Sequence, residues 1–139
     1  VRRYRLRAAD EEGSVPVVVT AAETPLGRRV VARLVAEGAE VRALVDKPAT
    51  DLGVPTAVAD WAELERLGAV LEGAHTVIHL AGAKRVRDLL EAAEDSGVVR
   101  IVSTVPVTAP YEVVVVPVPR WRPDLDAIAN ALVEADRRA

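Results

Sequence analysis

The sequence predicts an α/β fold: a mostly parallel sheet with helices on both faces, stacked in three layers. Two observations carry this. Short β-branched apolar runs alternate with stretches whose apolar residues recur at helical spacing. The apolar half of the chain is nearly all Val, Leu, Ile and Ala, with two Tyr, two Trp and no Phe, which suits strands buried on both faces.

Residues 1–14 read as a polar lead-in, with Arg2, Arg3, Arg5 and Arg7 followed by Asp10, Glu11 and Glu12. Tyr4 and Leu6 alternate with arginines, as in a short edge strand. Residues 15–139 are expected to form one domain. Its first strand is the run Val15, Val17, Val18 and Val19. A turn over 20–24 follows, and then a helix with Thr24 as N-cap and Pro25 as its first residue. Leu26, Val30, Val31, Leu34 and Val35 form the apolar stripe of this helix, and Gly38 ends it. Val41, Ala43 and Val45 share one face of the second strand, with Leu44 on the other. These elements form a strand–helix–strand unit of about 30 residues, the seed of a parallel sheet.

A third strand is expected over Pro55–Ala59. Asp60 then stands as N-cap of a helix whose apolar positions are Ala62, Leu64, Leu67, Val70 and Leu71, ending at Gly73. His75–Leu80 gives the fourth strand. Val86, Leu89, Leu90 and Ala93 give the next helix, ending at Ser96-Gly97, and Val98–Ser103 gives the fifth strand. Tyr111–Val116 is a sixth strand, reached through the Pro-bounded stretch Thr104–Pro110. A parallel crossover ordinarily takes a dozen or more residues, so this strand is expected to run antiparallel or to lie peripherally, outside the main sheet. Pro117 and Pro119 end it. Asp124–Arg138 forms a last helix, with Leu125, Ile128, Ala129, Leu132 and Val133 inward.

Several function classes are disfavoured. There is no Cys, which removes thiol catalysis and thiolate metal sites. His75 and His79 on one strand face would stand about 13 Å apart, too far for one ion, so no metal site is expected. A net charge of −3 offers no general field for nucleic acid. No apolar run approaches a membrane span and no signal-peptide core is seen, so a cytoplasmic protein is expected. Neither a phosphate-binding Gly-Lys-Ser/Thr loop nor a Gly-x-Ser-x-Gly elbow occurs.

The turn Thr20, Ala21, Ala22, Glu23, Thr24, Pro25, Leu26, Gly27 resembles the T-G-x-x-G-x-x-G turn of the short-chain dehydrogenase/reductase (SDR) superfamily, in its extended and atypical branches (epimerase/dehydratase or NmrA-like). Read alone, the turn is equally a capped helix after a buried strand. The runs VIHLAG (Val77–Gly82) and LLEAAEDSGVVRIV (Leu89–Val102) are similar to SDR segments, as is the weaker DLDAIANALVEA (Asp124–Ala135). The resemblance implies a compact Rossmann-like sandwich with core strand order 3-2-1-4-5. It implies a dinucleotide held by Thr20, Ala21, Thr24, Pro25, Leu26 and Gly27 at the turn, by Asp46 at the end of the second strand, by Asp60 and Trp61 near the adenine, and by Ala81 and Gly82 beside the ribose. Asp46 would accept ribose hydroxyls and repel a 2′-phosphate, favouring NAD over NADP; otherwise it is a solvated turn acid.

The sequence also departs from that family. Ala21 and Thr24 replace two glycines, and the branched Cβ of Thr24 would stand where the diphosphate lies. The Tyr-x-x-x-Lys pair that moves protons in catalytic SDRs has no counterpart, since four residues beyond Tyr111 is Val115 and beyond Tyr4 is Ala8. Tyr111 is therefore not expected to be catalytic; residual chemistry would use Ser103 or Thr104. Three readings stay open: a dinucleotide-binding domain, regulatory or a subunit; an active atypical oxidoreductase or epimerase; or a structural or partner-binding domain without cofactor. The apolar sixth strand, close to a sheet edge, suggests a homodimer or a covering partner.

Overall fold

The computed structural model describes residues 15–119 and 124–138. The lead-in over 1–14, with the edge strand expected near Tyr4 and Leu6, lies outside the described residues. The elements are β1 (Val17–Thr20), α1 (Pro25–Ala36), β2 (Val41–Val45), β3 (Thr56–Val58), α2 (Leu64–Leu71), β4 (Thr76–His79), a 3-10 turn (Ala83–Arg85), α3 (Val86–Ala93), β5 (Arg100–Ser103), β6 (Glu112–Val115) and α4 (Leu125–Arg138). They build one sheet of order β3-β2-β1-β4-β5-β6, parallel throughout. Adjacent β1 and β4 leave the sheet toward opposite sides, which makes their carboxyl ends the topological switch point.

Side-chain alternation along the strands divides the core in two. Val17, Val19, Val41, Ala43, Val45 and Ile78 pack beneath α1 and α4. Val18, Leu44, Val77 and Ile101 pack beneath α2 and α3. No residue of β1, β4 or β5 is exposed, which is why their sequences are nearly continuous apolar runs. Helix α1 ends as its sequence predicts. Gly38 takes φ +83°, its N–H donates to Val35 O at 3.0 Å, and the Ala39 N–H donates to Leu34 O at 2.9 Å, the paired bonds of a Schellman cap.

Strand β6 corrects one expectation. It lies at the sheet edge, so it is peripheral, but it belongs to the sheet and runs parallel to β5, with Arg100 opposite Glu112 and Ser103 opposite Val115. Eight residues separate the two strands. Extended, they can span roughly 26–29 Å, while returning along a four-residue strand needs only about 13 Å. An extended segment without a helix therefore suffices. It crosses the α2/α3 face, where Val107 and Tyr111 pack against the core.

A second correction concerns Asp60. Helix α2 begins at Leu64, and its N-cap residue Glu63 makes no side-chain cap bond. Asp60 instead closes the turn before it. Its carboxylate accepts from the Ala62 N–H at 3.1 Å and its carbonyl from the Glu63 N–H at 2.9 Å.

The amino end of the sheet is tied by one nearly buried cation. Arg100 donates to Glu112 at 3.1 Å and to the carboxylate and carbonyl of Asp136 on α4, both at 2.9 Å. Thr76 of β4 donates to the same carboxylate at 2.9 Å. The Arg100 and Asp136 side chains are 10% and 16% exposed, so removing one charge leaves the other largely desolvated. Arg100→Ala is expected to destabilise the fold by about 3 kcal/mol in urea unfolding. A loss below about 1 kcal/mol would place the anchor of α4 elsewhere.

Candidate functional site at the carboxyl ends of the strands

The turn after β1 has the backbone of a glycine turn without its first two glycines. Ala21, at the first glycine position, adopts φ +51°, a left-handed conformation that costs a non-glycine residue about 1–2 kcal/mol. Thr24 folds its side chain inward. Its hydroxyl donates to Ala21 O at 2.7 Å and accepts from the Gly27 N–H at 3.1 Å, so the expected helix cap is formed. Gly27 is sterically required. A Cβ there would strike Ala21 O and lie 2.6 and 2.8 Å from Ala22 Cα and C.

At the switch point, a buried network joins β1 to β4. His79 Nε2 lies 2.8 Å from Gly82 O, and a carbonyl only accepts, so Nε2 carries a proton. Burial lowers the His79 pKa, against opposing contributions from the Gly82 bond and the Asp46 charge. The ring is therefore neutral, and Nδ1 accepts from the Thr20 hydroxyl at 3.1 Å. That hydroxyl oxygen in turn accepts the N–H groups of Leu80 at 2.8 Å and Ala81 at 3.2 Å. Thr20, Ala81 and Gly82, three expected site residues, are thus brought together. Gly82 takes φ +89°, letting its carbonyl turn back to His79.

A cleft of about 710 Å³ opens beside this network, lined by Asp46, Asp60, Trp61, Arg66 and Arg85 among others. Trp61 forms its floor. Its indole N–H donates to Asp46 Oδ1 at 2.9 Å, and its ring meets the edge of His79 at 6.5 Å between centroids. The Arg85 guanidinium lies 5.5 Å from its centroid, within cation–π range. Asp46 and the Asp60-Trp61 pair, 14 residues apart, share one cleft. Ser103, at the end of β5, is fully buried, and its hydroxyl accepts from the Val105 N–H at 3.1 Å. Thr104 is half-buried beside it. Tyr111 packs on the core. Among the described residues, no three His, Asp or Glu gather as a metal site would require, and no helix is long and apolar enough to cross a membrane.

Sequence reasoning missed Glu23, Arg66 and Arg85. Glu23 reaches from the turn to the end of β2, accepting the N–H of Asp46 at 3.2 and 3.3 Å and that of Lys47 at 3.3 Å. A carboxylate inside a phosphate-type turn is a visible oddity, but its partners are 23 and 24 residues away. His79 was legible as half of an unsuitable metal pair and as a member of the VIHLAG run, but not as a partner of Thr20.

The NAD(P)H-binding family matches residues 22–139, and the chain belongs to that family. A comparison with curated proteins gives no match. Among solved structures, the chain is similar to uronate dehydrogenase from Agrobacterium tumefaciens, with 27% identity, 66% of this chain and 40% of that one covered, and TM-score 0.57. A mutant of that enzyme complexed with NAD aligns with 28% identity over 63% of this chain and 39% of that one, TM-score 0.56. An SDR superfamily protein from the same organism with bound NAD covers 89% of this chain and 45% of that one, with 22% identity and TM-score 0.57. The chain spans less than half the length of each of these structures. Fold and family together define a Rossmann-like NAD(P)H-binding domain.

Two predictions follow from this geometry. Gly27→Ala should cost about 2–3 kcal/mol by overpacking in thermal or urea unfolding; a neutral effect would mean that the turn backbone yields freely. For His79, the folded pKa lies below the ordinary 6.5, so the unfolded chain binds more protons just below that pH. Its contribution to stability is complete above about pH 6.5 and is lost as pH falls toward the folded pKa. Urea midpoints measured from pH 7 to 5 should fall, and His79→Gln should flatten the decline. An unchanged slope in the variant would assign the pH dependence to other groups.

Proposed function

We propose that this domain binds NAD in the switch-point crevice without a Tyr/Lys proton-transfer pair, and that it serves as a regulatory domain or as the cofactor-binding part of a larger assembly. The observation that carries this reading is the convergence of the Ala21–Gly27 turn, the Thr20–His79–Gly82 network and the Asp46–Trp61 cleft at the carboxyl ends of β1, β2 and β4. Open parallel sheets take their ligands at this place. The NAD complexes of the two Agrobacterium structures support it.

The roles of the residues follow from their partners. Asp46 gives one carboxylate oxygen to Trp61 and has the other for a ribose hydroxyl. Trp61, with Arg85 over its ring, forms the wall for an adenine beside Asp60. Ala81 and Gly82 keep the strand end slim beside the second ribose. The turn is a weak pyrophosphate holder. Pro25 has no N–H, and Thr24 has taken that of Gly27, which leaves Leu26 in the first turn of α1. Binding is accordingly expected to be modest and dominated by the adenosine half.

An active oxidoreductase or epimerase is the second reading, favoured by a hydroxyl at the end of β5. Ser103 is sealed and bonded to Val105, so Thr104 is the better candidate to orient a substrate carbonyl.

NADH fluorescence titration tests the main reading. Saturable binding is expected, weakened at least tenfold by Trp61→Ala, with no hydride transfer to carbonyl substrates. Turnover lost on Thr104→Val would establish the second reading. Absence of saturable binding would leave a structural or partner-binding domain.

A further inference from the structure

The Asp46 and Lys47 amides form a two-donor corner at the end of β2, and the carboxylate of Glu23 fills it. Successive main-chain N–H groups converging on one acceptor make an anion site. The chain thus contains an anion-binding corner and supplies the anion itself. The surroundings reinforce this assignment. Asp46 carries a second carboxylate at the same strand end, held by Trp61. Arg28, the nearby cation on α1, is engaged by the Glu23 carbonyl at 2.9 Å and by Asp51 at 2.8 Å. Arg85 is placed over the Trp61 ring and 3.9 Å from Asp88. Among the described residues, Lys47, exposed at the same strand end, and Arg66, in the lining of the cleft, are the cations an added anion would meet.

We infer that Glu23 is a specificity-determining residue that closes the adenosine corner to a ribose 2′-phosphate by occupying the Asp46 and Lys47 amides. This inference rests on the dinucleotide reading above and deepens it: discrimination comes from a residue of the turn, in addition to the acid at the strand end. A 2′-phosphate entering here would have to displace one carboxylate and lie beside another. A 2′-hydroxyl can instead donate to Asp46 and leave Glu23 in place.

Two measurements on the full chain test it. In ¹H–¹⁵N spectra, adenosine 2′-monophosphate should leave the Asp46 and Lys47 amides unmoved in the native protein and shift them saturably in Glu23→Ala. Glu23→Gln, which keeps an acceptor on the amides but removes the charge, should respond in the same direction and less; it also provides the comparison if the alanine variant fails to fold. In parallel, the NADH:NADPH affinity ratio should fall at least tenfold from native to Glu23→Ala. Native amides that shift as strongly as those of the variant would overturn the inference, as would folded variants that show no shift. Loss of NADH binding in every protein would count against the dinucleotide reading alone, because the amide response to the monophosphate still decides the role of Glu23.

Discussion

The close approach of Gly27 to the backbone of Ala21 and Ala22 is the constraint on which the rest of the site depends. It brings the first turn of α1 down onto the end of β1. That approach leaves room for no side chain at position 27 and holds Ala21 in a left-handed conformation. Thr24 fits because its hydroxyl bonds both sides of the turn it closes. The turn therefore keeps the conformation of a glycine-rich loop while two of its glycines are replaced. Helix α1 enters at the angle that lets it share one core with α4.

Polar groups around the crevice are used mainly to hold one another. Thr20 satisfies His79 and two strand-end amides, His79 holds Gly82, Asp46 holds Trp61, and Glu23 holds the amides at the end of β2. The His79–Gly82 bond folds the loop after β4 back on its own strand, and the others tie neighbouring strand ends together, so the crevice is preorganised. The consequence is a crevice sparing in donors at the first turn of α1, since Pro25 lacks an N–H and Thr24 occupies that of Gly27.

Much of this was legible from the sequence because it is local. The Val17–Val19 run, the Thr24-Pro25 helix start, the Gly38 stop and the apolar stripe of α4 each follow from residue type and spacing within one element. The placement of Asp46 at a strand end is local too. Asp60 was misassigned because an Asp before an apolar run caps a turn as readily as a helix, and the bonds to Ala62 and Glu63 decided between them. The direction of β6 was misread because crossover length is a tendency set by helical connections. An extended chain returns along a short strand in fewer residues.

By itself, then, the sequence determined the alternation of strands and helices, the two-faced burial of β1, β4 and β5, and the capped helix start at Thr24-Pro25. Those properties live in the periodicity and chemistry of neighbouring residues. Only the tertiary structure decided that β6 continues the parallel sheet, that His79 braces β4 against β1, that Arg100 locks α4, and that Glu23 reaches the amides of Asp46 and Lys47. Each of these joins groups from different elements, from 12 to 59 residues apart. Such pairings are set by how the layers pack, which no local pattern of residues encodes.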